Sequence, residues 1–294
     1  MNSLEINRSI IALSQIKGLG RKKIGRILEE ISDFNHASFM ELIEIGIRLN
    51  LLSKMSPIGE FLNARIAANN ILAICEHNDI QVASIYAEDF PDVLKFKEGP
   101  HLIYYKGNIS ALSLPKRAAV IGTRAPSENG SAFARWAGKQ LAEKDYVVIS
   151  GLASGCDRAA HLGCLDAGGT TVAFLPSSIL NITPKENIGL AKRIVETGGC
   201  LVSEYSSYDI ANAGMFIERD RLQAAASNFV ITSEFEENSG TLHTLEFANQ
   251  YEKTIVSTHC IQESGITGFD ALQKEHIPYR LLSEAEIINY LDEA

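Results

Sequence analysis

The chain has 294 residues, 46% apolar and 21% charged, the balance of a globular protein long enough for two cores and not that of a linker, fibre or membrane protein. Net charge is −9, and because residues 1 to 80 carry 9 basic and 9 acidic side chains, the whole deficit falls on residues 81 to 294. Coating of nucleic acid by a basic face is thereby excluded, and any anion site in the larger part has to be a focused pocket.

The first 80 residues read as helices: apolar positions recur at helical spacing in LEINRSIIALSQI, KIGRILEEI, FMELIEIGIRLNLL and EFLNARIAANNILAICEHN. From Asp79 the texture changes, which sets a boundary between a small all-helical domain, 1–78, and an α/β domain, 79–294. Strand-like runs AAVIG, YVVIS, TTVAFL, CLVSE, NFVITSEF and TIVST follow, each leading through a Gly, Ser or Pro junction into a helical stretch. That alternation is the signature of βαβ units and a parallel sheet buried on both faces. The closing segment GFDALQKEHIPYRLLSEAEIINYLDEA supplies a helix, a short strand and a last helix.

No stretch approaches 18 uninterrupted apolar residues, and MNSLEINRSI lacks the basic start and apolar run of a secretory signal, so a cytoplasmic protein with no membrane partner is expected. Cys75, Cys156, Cys164, Cys200 and Cys260 are odd in number and form no CxxC pair, which favours reduced, mostly buried thiols over disulfides or zinc.

Ligands of a parallel sheet bind beyond the carboxyl ends of its strands, where helix amino termini offer free N–H groups. Three junctions qualify. In VIGTRAPSENG, Gly122 ends a strand, Thr123 and Arg124 project from the loop, and Gly130 opens a helix. ISGLASGCD offers Ser150, Gly151, Ser154 and Gly155, with Asp157 expected to cap the next helix, and ENSGTLHT offers Ser239, Gly240 and Thr241. Each glycine alone is equally a tight turn, but three such loops on one sheet point to an anion or nucleotide site. None is a GxGxxG fingerprint or a P-loop, so NAD and ATP are not the expected ligands and no cofactor is expected.

FIERDRL places Arg219 and Arg221 just before a strand, where with Arg124 they would converge on one crevice and meet phosphate oxygens. The alternative is that they pair with nearby carboxylates such as Glu218, Asp220, Glu234 and Glu236. Asp157 and His161, four apart on one helix, are either an acid–base pair or a cap and a packed histidine; the second is favoured. Metal-ligand spacing and a GxSxG elbow are both missing. In IKGLGRKKIGRIL, Gly18 and Gly20 lie between two helices beside Arg21, Lys22 and Lys23, either as a helix-hairpin-helix turn that offers amides to a phosphate or as a plain packing turn.

The order of these segments resembles the DprA/Smf family of bacterial DNA-processing proteins. AVIGTRAPSENG resembles its GxR loop, VVISGLASGCDRAAHLG its SGLAxGID…AH segment, LVSEY its SEY, FIERDRL its FxxRNR and SGTLHT its SGSLxT; DFPDVLKFKEGPHLIYYKGN is similar to its lead-in. The resemblance implies an extended Rossmann-like domain after a small helix-hairpin-helix or SAM-like domain. It further implies a non-enzymatic, homodimeric binder of single-stranded DNA that hands it to a RecA-type recombinase in DNA processing, recombination or transformation. The expected DNA-binding residues are Gly122, Thr123, Arg124, Ser150, Gly151, Lys185, Arg219, Arg221, Ser239, Gly240 and Thr241, with little base stacking, and Gly18, Gly20, Lys22 and Lys23 as a second patch. Asp220, Cys156 and Thr183 depart from the motifs, standing where the family has Asn, Ile and Tyr, and the chain stops before the winged helix with which the family often ends. A nucleotide sensor or a nucleoside monophosphate hydrolase of the same superfamily is the alternative, although Thr244 stands where that hydrolase needs Glu.

Overall fold

Four helices come first, α1 (Ser3–Ser14), α2 (Arg21–Leu28), α3 (Phe39–Arg48) and α4 (Ile58–His77). Gly18, at φ +78, turns the chain between α1 and α2, and the Ser38 side chain caps α3 by accepting from the Glu41 amide. The structure is a computed structural model and describes residues 3–31, 37–53, 58–207, 209, 211–262 and 267–293.

A nine-stranded sheet follows, with strand order β1-β2-β6-β5-β4-β3-β7-β8-β9. In chain order its elements are β1 (Gln81–Ser84), β2 (Leu102–Gly107), β3 (Arg117–Ile121), α5 (Glu128–Glu143), β4 (Val147–Ser150), α6 (Cys156–Asp166), β5 (Thr171–Leu175), α7 (Ile188–Glu196) and β6 (Cys200–Ser203). The second half holds α8 (Ala213–Ala226), β7 (Phe229–Thr232), α9 (Gly240–Gln250), β8 (Thr254–Ser257), α10 (His259–Gln262), α11 (Gly268–Lys274), β9 (Arg280–Leu281) and α12 (Glu284–Glu293). The six expected strand runs are β3 to β8, and the expected closing helix, strand and helix are α11, β9 and α12. All residues of β4, β5, β6 and β7 are buried, as a parallel sheet covered on both faces requires.

Two features differ from the sequence reading. β1 and β2, separated only by a short 3-10 turn at Asp92–Leu94 and by no α-helix, add an antiparallel extension, with Val82 opposite Tyr104 and Tyr104 opposite Ser203. The run NFVITSEF stops being strand at Thr232, because Ser233 and Glu234 turn to bond the β3 side: Ser233 N–H donates to Ile121 O (2.9 Å) and Glu234 O accepts from Thr123 N–H (2.6 Å).

The helical part does not stand apart from the sheet. Ile11, Leu13, Ile27, Leu42, Ile43 and Ile71 are fully buried in one apolar cluster that continues through Leu102, Tyr104, Leu175 and Leu201 of the sheet. A polar staple crosses the expected 78/79 boundary: Asn7 Nδ2 donates to Val82 O (2.8 Å), and its Oδ1 accepts from the Ser84 amide (3.1 Å). Asn7→Ala removes the side-chain partner of both backbone groups of β1, the Ser84 amide in a fully buried place and the Val82 carbonyl in a half-buried one. A loss of about 1–3 kcal/mol is expected, read as a lower urea midpoint at unchanged m-value.

The chain leaves β3 for β4, β5 and β6 on one side and returns to β7 and β8 on the other. β3 and β7 therefore flank the topological switch point, where the loops beyond the strand ends part and leave a crevice.

Candidate nucleic-acid interface

The switch point holds a cavity of about 360 Å³. Gly122, Thr123 and Arg124 form one wall, and Ser239, Gly240 and Thr241 at the start of α9 form another. Phe216, Arg219, Asp220 and Gln223 of α8 complete the lining. Glu234 fixes the two flanking loops together, since its carboxylate takes the Ser127 amide (2.7 Å) and the Ser127 hydroxyl.

Arg124 is exposed at the mouth, its guanidinium 4.6 Å from the centre of the Phe216 ring, and pairs with no carboxylate among the described residues. On the same cavity, Ser239 is the N-cap of α9 but makes no capping bond, and its Oγ is buried without a partner. The Gly240 and Thr241 amides likewise take no partner among the described residues. A free guanidinium and an uncapped helix start thus line one cavity, the two kinds of group with which proteins hold anions.

Other expected contacts are spent on the protein itself. Arg219 is buried, its Nη1 donating to Gly151 O (2.7 Å) and Phe174 O (2.6 Å), and its Nε to Asp220 (3.0 Å). It reaches the crevice as a braced wall. Arg221 does not enter it: fully buried, it donates to Glu204 (2.6 Å) and Glu218 (3.2 Å) and lies over Phe96. The Gly151 amide is not free for phosphate, because Asp157 accepts it (3.1 Å) together with that of Ala153 (3.3 Å). Glycine is needed at 151 for a different reason, since a Cβ there would lie 2.1 Å from Arg219 Nη1. Ser150 is buried, its hydroxyl donating to Val120 O (2.7 Å). Asp157 is not the cap of α6: Gly155, at φ +73, holds that position, and the aspartate reaches back to brace the loop.

Lys185 is exposed beyond β5, outside the crevice walls. Gly18, Gly20, Lys22 and Lys23 lie elsewhere, with Gly20, Lys22 and Lys23 on a different cavity and Lys23 Nζ bonded to Gly18 O (2.8 Å).

Burial governs the titration of this region. It drives the His161 imidazole down to about 3, with the Arg219 charge adding to the effect, so the ring is neutral at pH 7. Its Nδ1 meets Thr171 Oγ1 (2.7 Å), a packed histidine and not the partner of Asp157. Desolvation raises Asp157 against the opposing pull of Arg219. Asp220 is pushed up to about 6 by burial, which outweighs its bond to Arg219. The thiols of Cys156, Cys164 and Cys200 are likewise buried and raised to about 12; Cys260 is exposed.

Sequence reasoning missed Phe216 and expected little aromatic contribution. The signal lay in FIERDRL itself, where Phe216, Arg219, Asp220 and Gln223 follow i, i+3, i+4 and i+7 spacing on one helical face.

The family model for DNA recombination-mediator protein A matches residues 81–292. The chain belongs to that family. Protein Smf of Synechocystis is 28% identical over 254 residues, covering 84% of this chain and 63% of that protein. The DNA processing protein DprA of Streptococcus pneumoniae is 35% identical over 169 residues, 56% of this chain and 58% of that protein. The chain thus spans about three-fifths of the length of these relatives. Among solved structures, DprA from Streptococcus pneumoniae matches with a TM-score of 0.70 at 26% identity, over 93% of this chain and 98% of that one. A DNA processing protein A from Helicobacter pylori, studied for its single-stranded DNA binding mode, matches with a TM-score of 0.63 at 26% identity, over 72% of this chain and 96% of that one. These are names of DNA processing and not of a catalysed reaction. Among the described residues, no cluster of His, Cys, Asp or Glu is able to hold a metal ion, and no helix is long and apolar enough to cross a membrane.

Proposed function

We propose that this chain binds single-stranded DNA in the switch-point crevice, without catalysing a reaction, and presents the strand to a RecA-type recombinase. The observation that carries the reading is Arg124, free of carboxylates and backed by Phe216, on one cavity with the uncapped start of α9. A phosphate between them takes the guanidinium and the amides of Gly240 and Thr241, while the Phe216 ring offers an apolar surface to a neighbouring base. Arg219 contributes field without direct contact, and Arg221 contributes none. The recombinase contact and the homodimer rest on the family alone, and light scattering at micromolar concentration tests the dimer.

The test of DNA binding is anisotropy of a labelled single-stranded oligonucleotide titrated at several salt concentrations. Affinity falling by about 0.7 log units per log unit of salt for each phosphate neutralised, with a few phosphates engaged, supports the reading. No binding at low salt, or a flat salt response, rules it out.

Asp220 makes the same binding depend on pH. Arg219, Asp157 and His243 are the charges that bear on it. Its folded pKa, about 6 against an ordinary 3.8, means the folded protein holds this proton more tightly than the unfolded chain. The resulting stability is fully present below about pH 4 and lost as pH rises through about 6. A bound phosphate favours the protonated form further, so oligonucleotide affinity is expected to fall between pH 5 and 7.5. Asp220→Asn keeps an acceptor for Arg219 and removes the repulsion, and is expected to bind about 1–2 kcal/mol more tightly at pH 7.5 with a flatter profile. His243→Gln serves as the control; a profile flattened by that variant alone assigns the pH dependence to the imidazole.

A further inference from the structure

A second and larger cavity, about 610 Å³, lies between the α1–α2 turn and the sheet. One end is the start of α2, where Gly20 is an N-cap with no side chain to close the helix. The Lys23 and Ile24 amides bond to Gly20 O, while those of Arg21 and Lys22 take no partner among the described residues. Lys22 is exposed beside them and pairs with no carboxylate there, while Arg21 is held by Glu218 (2.8 Å) and Glu98 O. This end of the cavity is built for an anion.

An independent feature of the wall leaves a polar group for a ligand to meet. Tyr104 is only 4% exposed and lines the cavity, yet its hydroxyl makes no hydrogen bond among the described residues. The hydroxyl lies within the fields of Cys75, on α4, and of Asp209, and Asp209 borders the same space. Whatever fills the cavity is left to supply its polar partner. Beyond it the wall consists of acceptors: Asp209, which holds the Ser206 amide (2.7 Å) and hydroxyl (2.8 Å), and Glu204. Ile10, Ile11 and Leu19 add apolar lining to the same cavity.

From this polarity we infer that the cavity is a binding site for a free nucleoside monophosphate. The phosphate sits on the Arg21 and Lys22 amides, the base lies on the isoleucine and leucine lining, and sugar or base donors meet Tyr104, Asp209 and Glu204. A DNA strand does not suit the site, because its next phosphate would face those carboxylates. The inference is separate from the DNA reading of the switch-point crevice.

The test is calorimetric titration of the full chain with AMP, repeated on Lys22→Glu, Tyr104→Phe and Arg124→Ala proteins whose thermal melts show that they fold. One saturable site is expected, weakened at least tenfold by Lys22→Glu, several-fold by Tyr104→Phe, and unchanged by Arg124→Ala. An unphosphorylated oligonucleotide does not compete. Absence of AMP binding at millimolar concentration overturns the inference, as does binding that survives both cavity variants. Loss of AMP binding in Arg124→Ala, or competition by the oligonucleotide, also overturns it by moving the nucleotide to the crevice. Oligonucleotide affinity measured on the same proteins reports on the crevice alone, so either site can fail without the other.

Discussion

Arg221→Ala is expected to cost about 3–5 kcal/mol of stability while leaving the affinity of the remaining folded protein for DNA unchanged. Arg221 is among the largest fully buried side chains, and the Glu204 carboxylate that takes both of its close bonds is itself nearly enclosed. Glu218, half exposed, contributes much less. Removing the guanidinium leaves Glu204 as an uncompensated charge in a poorly hydrated place. Burial already raises the Glu204 pKa against the pull of Arg221, and without Arg221 it rises further. A carboxyl raised on folding stabilises at low pH and loses that contribution as pH rises, so the deficit of the variant grows from about pH 5 to pH 7.5. Chemical denaturation at the two pH values measures this. Combining Arg221→Met with Glu204→Leu removes both charges and is expected to recover most of the loss, and a double-mutant cycle gives the coupling directly. A variant that stays stable but loses DNA would return Arg221 to the binding site.

The pair Arg219 and Arg221 also shows what the sequence contained and what it withheld. Two residues two apart on a helix point to nearly opposite sides, so once FIERDRL is helical the two arginines cannot share a crevice. Arg219 shares its face with Phe216 and Gln223, whereas Arg221 goes to Glu204 and Phe96. The strands β3 to β8 were legible because each is a short unbroken apolar run feeding a helix. β1 and β2 were not, since their pairing is antiparallel and long-range, and nothing in QVAS or LIYYKG specifies its partner. The glycines marked loops that border the crevice, but for a partly wrong reason. A glycine reports only that something comes close, and at Gly151 what comes close is Arg219 and not a ligand. Asp157 in turn consumes the amides that the loop was expected to offer. Neither fact can be read without knowing which side chains converge.

Arg124→Ala is expected to weaken oligonucleotide binding by about 10- to 100-fold, the equivalent of about 1.5–3 kcal/mol for a hydrogen bond to a charged group. Stability should change little, because the side chain is exposed and its stacking on Phe216 at 4.6 Å is worth only about 0.5–1 kcal/mol at such a site. The two roles open to Arg124, holding phosphate and completing a stacking surface with Phe216, separate by salt. If the guanidinium neutralises one phosphate, the slope of log affinity against log salt falls by about 0.7 in the alanine variant. Arg124→Lys then retains the slope and part of the affinity, since it keeps the charge and loses the planar fork. Phe216→Leu is the complementary change, lowering affinity while leaving the slope intact. Lost affinity at an unaltered slope in Arg124→Ala would instead make the arginine part of the stacking surface, and the phosphate would then fall to the start of α9, where Ser239, Gly240 and Thr241 already leave their polar groups unspent.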